Sequence, residues 1–165
     1  MSEKFKAGVL TMSDKGARGD RIDESGKIAA DMLRADGFEL VKTGIVPDRM
    51  EDITATLIDW IDNEELSLIV TSGGTGLSPT DVTPQAMKQI IDYEVPGISE
   101  AMRAESLKKT PHAMLSRAMA GVRCQCLIIN LPGSPKGVKE NLEIVLPALK
   151  HGLSKLSGDT ADCAT

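Results

Sequence analysis

Only 2% of this chain is aromatic: one Trp, one Tyr and two Phe in 165 residues. Ile, Leu, Val, Met and Ala must fill the core, and almost nothing remains to stack unpaired bases. Cations are also short. Lys and Arg number 19 against 24 Asp and Glu, for a net charge of −5. Nucleic-acid surfaces need clustered cations to displace counterions, so we expect no nucleic-acid partner. A small anionic ligand remains compatible, because its site responds to the local field rather than to the sum. No stretch approaches the roughly 18 apolar residues of a membrane span, and the N-terminus carries no apolar export segment. The expectation is no membrane and a cytoplasmic protein. Three cysteines make no disulfide framework. Cys124 and Cys126 lie two apart in an apolar run and are expected on one buried face of a strand. His112 and His151 have no companions at ligand or triad spacing and read as structural.

What is present is 41% hydrophobic residues, enough for one domain with a substantial core. We assign 1–157 to that domain and 158–165, including Cys163, to a flexible tail. The runs "KAGVLTMS", "FELVKTGIV", "LSLIV" and "CQCLIIN" read as strands. Between them, "GKIAADMLRADG" places Ile28, Ala29, Met32 and Leu33 on one helical face, with Gly37 placed to end the helix. "DRMEDITATLIDWIDNEE" does the same with Ile53, Leu57 and Trp60 or Ile61, and Asp48 is a candidate cap. Residues 92–120 read as mostly helical and irregular. A last helix covers about 137–156, with a bend or break expected at Pro147. Continuous apolar strands alternating with helices predict a three-layer α/β/α sandwich with a mainly parallel sheet, its ligand site at the carboxyl ends of the strands.

Those four ends read "TMSD", "IVPD", "TSGGTG" and "NLPGSP". Gly73, Gly74, Thr75 and Gly76 form either a turn needing positive φ or an anion cradle of backbone N–H groups. No Gly-Lys-Ser/Thr follows, so this is not a Walker loop. If phosphate binds here, a metal or charge from elsewhere must replace the usual lysine. Asp81 either caps the helix opening at Thr83-Pro84 or holds Mg²⁺, and Asp48 and Asp14 carry the same two readings at other strand ends. Pro132, Gly133 and Ser134 build a fourth rim loop, followed by Lys136 and Lys139. Arg117 is either a surface residue or an anion clamp. A valine at Gly74 is expected to block phosphate while leaving the fold intact.

"VLTMSD", "TSGGTG" with "DVTP", and "NLPGSPKG" at these separations resemble the molybdopterin adenylyltransferases, the MogA type related to the G domain of gephyrin. The resemblance covers nearly the whole chain. It implies a homotrimer that uses Mg²⁺ and the co-substrate ATP to adenylylate the terminal phosphate of molybdopterin, releasing pyrophosphate, with a downstream molybdate-insertion protein as a further partner. It also implies Asp48 and Asp81 as catalytic and metal-binding acids, and 73–76 with Pro132, Gly133 and Ser134 around the nucleotide and its phosphates. Ser13, Asp14, Ser116 and Arg117 would then face molybdopterin. The chain departs from the pattern ahead of Asp81, where Pro79-Thr80 stands in place of a basic pair. A compact paralogue, the alternative non-catalytic pterin scaffold, tends to lose the Pro-Asp at the second strand end and the second proline of Pro-Gly-Ser-Pro. This chain keeps both.

Overall fold

A computed structural model describes residues 4–161. Cys163 and the end of the expected tail lie outside them. Six strands form one sheet in the order β2-β1-β3-β6-β5-β4. β1 (Lys6–Met12), β2 (Glu39–Val46), β3 (Leu68–Ser72) and β6 (Cys126–Leu131) are parallel. β5 (Ala120–Arg123) and β4 (Tyr93–Glu94) add an antiparallel edge. The helices are α1 (Asp14–Ala17), α2 (Glu24–Ala35), α3 (Met50–Asp62), α4 (Thr83–Ile90), α5 (Pro96–Leu107) and α6 (Pro135–Leu156), with a 3-10 helix at Pro111–Leu115.

The sheet buries both faces, which explains its unbroken apolar runs. Leu68, Val70, Ile129 and Leu131 point to one core with Ala29 and Leu33 of α2 and Leu142 and Leu149 of α6. Ile69 and Ile128 point to the other, with Ile53 and Leu57 of α3 and Met87 of α4. Gly37 ends α2 as expected, in left-handed geometry at φ 90°.

Several expectations are corrected. β2 is an edge strand that alternates exposed and half-buried residues, not a continuous buried run. Residues 92–120 are mostly helical and irregular as expected, with α5 and the 3-10 helix, but Tyr93–Glu94 and the start of Ala120–Arg123 are strands outside that expectation. Elements of two and four residues are too short to show a period, and they form by pairing outward from β6. Cys124 and Cys126 do not share a face. Cys124 is exposed at φ 53° in the β5–β6 turn, and only Cys126 is buried, where burial pushes its thiol up to about 12. Helix α6 runs unbroken for 22 residues through Pro147. The proline lies on the exposed side, while Val145 and Leu149 on either side of it pack into the core, and that packing offsets the missing hydrogen bond.

Topology positions the site. The chain passes from β1 outward to β2, then returns across β1 to β3 and β6. The direction reverses between β1 and β3, and crevices open outside the carboxyl ends of strands at such a point. Ser13 and Gly73 are the residues that follow those two strands.

Candidate functional site

At the end of β1, the Ser13 hydroxyl accepts a hydrogen bond from the Gly16 N–H at 3.0 Å and caps α1. Asp14 and Asp48 then lock together reciprocally. The Asp14 N–H donates to Asp48 Oδ2 at 3.1 Å, and the Asp48 N–H donates to Asp14 Oδ1 at 2.9 Å. Asp48 therefore does not cap α3, whose cap position is Arg49, with no side-chain hydrogen bond. Burial pushes the Asp48 carboxyl above its ordinary value. The Asp14 N–H opposes the shift, while the charges of Asp14 and Asp81 add to it.

The glycine loop is first a turn. Gly73 and Gly74 have φ of 99° and 69°. A Cβ on Gly73 would meet the Met12 carbonyl oxygen at 2.6 Å, and one on Gly74 would meet Thr83 Oγ1 at 2.2 Å. The loop is tied down by the Gly73 N–H to the Leu131 carbonyl, the Thr83 hydroxyl to the Gly73 carbonyl, and the Thr83 N–H to the Gly74 carbonyl. Among the described residues, the N–H groups of Gly74, Thr75 and Gly76 donate to no protein acceptor. The turn thus spends one of the four N–H groups on the fold and leaves three without a protein acceptor.

Asp81 caps no helix. Val82 occupies the cap position of α4 without a side-chain bond, and Asp81 Oδ2 instead accepts the Ser78 N–H at 3.0 Å. The fourth loop is held by hydroxyls. Ser72 donates to the Pro132 carbonyl at 3.0 Å and Ser25 to the Gly133 carbonyl at 2.7 Å, while Ser134 caps α6 through the Gly137 N–H.

Two clefts open on this rim. One, of about 420 Å³, is lined by Ser13, Asp48, Gly73, Gly74, Asp81, Gly133 and Ser134, with Arg21, Asp23 and Glu24 at its border. The other, of about 440 Å³, is lined by Thr75, Gly76, Ser116, Pro132 and Ser134, with Met102, Leu115 and Ala118 and the basic side chains Arg103, Lys109 and Lys136. Ser134 belongs to both. Of the rim residues singled out in the sequence, Asp14, Arg117 and Lys139 line neither cleft. Asp14 holds Asp48 instead. Arg117 reaches the carbonyls of Gly76 and Asp81 at 2.8 and 2.7 Å. His112, read as structural, lines the second cleft.

Sequence reasoning missed Thr11, Asp23 and Ser25. Thr11 is 6% exposed, lines the acidic cleft, and its hydroxyl has no partner among the described residues. A buried hydroxyl left unpaired in a cleft wall is suited to a polar ligand atom. Inside a strand that reads as apolar, a single Thr gives no local signal. No group of three or more His, Cys, Asp or Glu among the described residues is disposed to hold a metal. Asp48 and Asp81 face the cleft as two carboxylates. That donor set fits Mg²⁺ completed by phosphate oxygens and water, not a protein-only cage.

Residues 8–151 match the model of the probable molybdopterin binding domain family (MoCF_biosynth), and the chain belongs to that family. It is 40% identical over 154 residues to a molybdopterin adenylyltransferase of Helicobacter pylori, covering 92% of this chain and 88% of that one. It is likewise 40% identical to gephyrin of Dictyostelium discoideum, but spans only 23% of that longer protein. The crystal structure of the molybdopterin biosynthesis enzyme MoaB from Thermus thermophilus superposes with a TM-score of 0.88 at 50% identity, covering 94% of this chain and 98% of that one. The α/β architecture and the mainly parallel sheet are those of this family.

Proposed function

We propose that this chain acts in molybdenum-cofactor biosynthesis as a molybdopterin adenylyltransferase, transferring AMP from ATP to the terminal phosphate of molybdopterin and releasing pyrophosphate. The observation that carries the reading is the junction of two unlike clefts at Ser134, with free loop N–H groups beside it. The acidic cleft takes the nucleotide phosphates, and the apolar cleft with its basic border takes the pterin and its phosphate. Adenylyltransferase relatives of similar length support the activity.

The attacking phosphate is already an anion, so no strong general base is needed. The chain must overcome repulsion between two polyanions and align the attacking and leaving oxygens. The N–H groups of Gly74, Thr75 and Gly76 stabilise charge on the transferred phosphoryl group. Asp48 and Asp81 would hold Mg²⁺, which supplies charge neutralisation between phosphate oxygens. Asp14 keeps the Asp48 carboxylate aimed into the cleft. Arg103 and Lys136 attract the phosphate of the pterin, while Lys109 is paired with Glu140 at 3.1 Å. In this reading Ser13 and Ser116 serve different clefts.

Incubating the protein with molybdopterin and Mg²⁺-ATP tests the assignment. Adenylylated pterin and stoichiometric pyrophosphate are expected. Pterin binding without pyrophosphate would establish instead the scaffold reading. Against it stand Asp48, locked by Asp14, and Pro135, which opens α6 at the rim.

We further assign the chain as a cytoplasmic homotrimer with a single domain over 1–157. No helix among the described residues is long and apolar enough to cross a membrane. Tyr93 and Met114 are 54 and 63% exposed, and both fall between the third and last parallel strands. Packing of neighbouring copies over them would remove this apolar surface from water. Sedimentation equilibrium at micromolar concentration is expected to give three times the 17.6 kDa chain mass; a single monomeric species would remove the assignment.

A further inference from the structure

The segment 76–81 carries Asp81 into the acidic cleft, yet it has little to hold it there. Residues 77–80 are all exposed. Within the segment, Ser78 bonds to Asp81 and Thr80, which shapes the turn without anchoring it. Among the described residues, one side chain from outside hydrogen bonds to it: Arg117. Its Nε donates to the Gly76 carbonyl at 2.8 Å, its Nη2 to the Asp81 carbonyl at 2.7 Å, and its Nη1 to Gln85 Oε1 at 3.2 Å on α4. Its backbone N–H donates to the Thr75 carbonyl at 2.8 Å. One residue thus grips the glycine loop, both ends of the exposed segment and the first turn of the next helix.

We propose that Arg117 is a positioning residue for Asp81 and the loop N–H groups, and not a contact of the pterin. Its planar fork sets three donors in fixed directions, and each finds its acceptor. A lysine at 117 keeps the charge and most of the stem but reaches one carbonyl at a time. The guanidinium lines neither cleft and forms no ion pair with a carboxylate among the described residues. Of its three side-chain hydrogen bonds, two go to the ends of the exposed segment and one to Gln85 on α4. The inference rests on the reading of Asp81 as a holder of Mg²⁺ on the nucleotide, since a displaced carboxylate matters only if it has that task.

The test is Arg117→Lys, measured four ways. In ligand-free protein, amide hydrogen exchange over 74–82 is expected to speed up while the β3 and β6 amides keep their protection. Molybdopterin affinity is expected to stay within about twofold, because no pterin contact is lost. Turnover is expected to fall by roughly tenfold to a hundredfold, as misplacement of a reacting group by about 1 Å does. The Mg²⁺ concentration for half-maximal rate is expected to rise.

Arg123→Lys is the stability control. Arg123 also donates to a backbone carbonyl, that of Ile90, but lines neither cleft, so its loss should not change the Mg²⁺ requirement. A tenfold loss of pterin affinity with unchanged exchange would overturn the proposal and make Arg117 a ligand contact. Faster exchange with parental rate and Mg²⁺ dependence would overturn it as well, leaving a purely structural brace. If Arg117→Lys does not fold, Gln85→Ala removes only the Nη1 contact and takes the same measurements. Faster exchange over 76–82 with a raised Mg²⁺ requirement supports the proposal, and no change in either refutes it. Parental turnover in Asp81→Asn would sink the underlying metal reading separately, whatever the exchange shows.

Discussion

Asp81→Asn is expected to fold and bind molybdopterin normally while losing two to three orders of magnitude in adenylylation. The fold expectation follows from the carboxylate's actual partner. Asp81 caps no helix; Oδ2 accepts the Ser78 N–H at 3.0 Å, and an asparagine amide oxygen accepts the same bond. Stability should therefore change by less than about 1 kcal/mol, the net worth of one such hydrogen bond. The rate expectation follows from charge. A well-placed electrostatic contact typically contributes on the order of 10²–10³ in rate, and a neutral amide is a poor ligand for Mg²⁺. Melting temperature, pterin affinity and adenylylation rate should be measured on one preparation. A stable, pterin-binding variant that turns over at the parental rate would refute the metal role. A marked fall in melting temperature would show that the Ser78 turn depends on the charge itself.

Gly74→Val is expected to fold with clearly lower stability. The expectation from sequence, an intact fold with blocked phosphate, is incomplete, because the geometry adds a cost to the fold itself. Gly74 sits at φ 69°, where a Cβ costs roughly 1–2 kcal/mol and a β-branched residue is a genuine outlier. That Cβ would also lie 2.2 Å from Thr83 Oγ1. Thr83 is fully buried, and its hydroxyl and N–H bond to the Gly73 and Gly74 carbonyls, so it has nowhere to go without breaking the turn. Losing one buried hydrogen bond adds about 1–3 kcal/mol. Against a typical 5–15 kcal/mol of stability, a total near 3 kcal/mol should lower the melting temperature by about 10 °C at this chain length. A thermal scan superimposable on the parent would show that the loop can rearrange.

Gly76→Ala disturbs the fold less than Gly74→Val but acts on the acid as well as the loop. Gly76 is outside the left-handed region, and its Cβ would meet Asp81, with Oδ2 at 2.9 Å, so the carboxylate must shift to make room. The melting temperature should hold while turnover falls through the displaced Asp81 and the altered loop together.

Local pattern determined much of this protein. Apolar runs between turn signals mark β1, β3 and β6, and the 3.6-residue period places Ala29 and Leu33, or Ile53 and Leu57, on buried stripes. Gly37 ends α2 by its own conformational freedom. The parallel class of the sheet follows from those elements, and so does the rim where Ser13, Asp48, Gly73, Asp81 and Ser134 gather, because parallel strands put their carboxyl ends on one side. These are short-range properties, each encoded within a few residues. Tertiary structure decided how the rim residues divide their work. Asp48 reads as a cap until β2 lies beside β1 and brings Asp14, 34 residues away, within bonding distance. Arg117 reads as either a surface residue or an anion clamp until the fold closes over the 36 residues that separate it from the Asp81 carbonyl. Thr11 carries no signal as one residue of a strand, and becomes an unpaired buried hydroxyl only when the acidic cleft forms around it. The two-residue β4 and four-residue β5 have no period to read and exist because β6 offers an edge to pair with. A side chain's partner across such distances depends on strand order and register, which no local window contains.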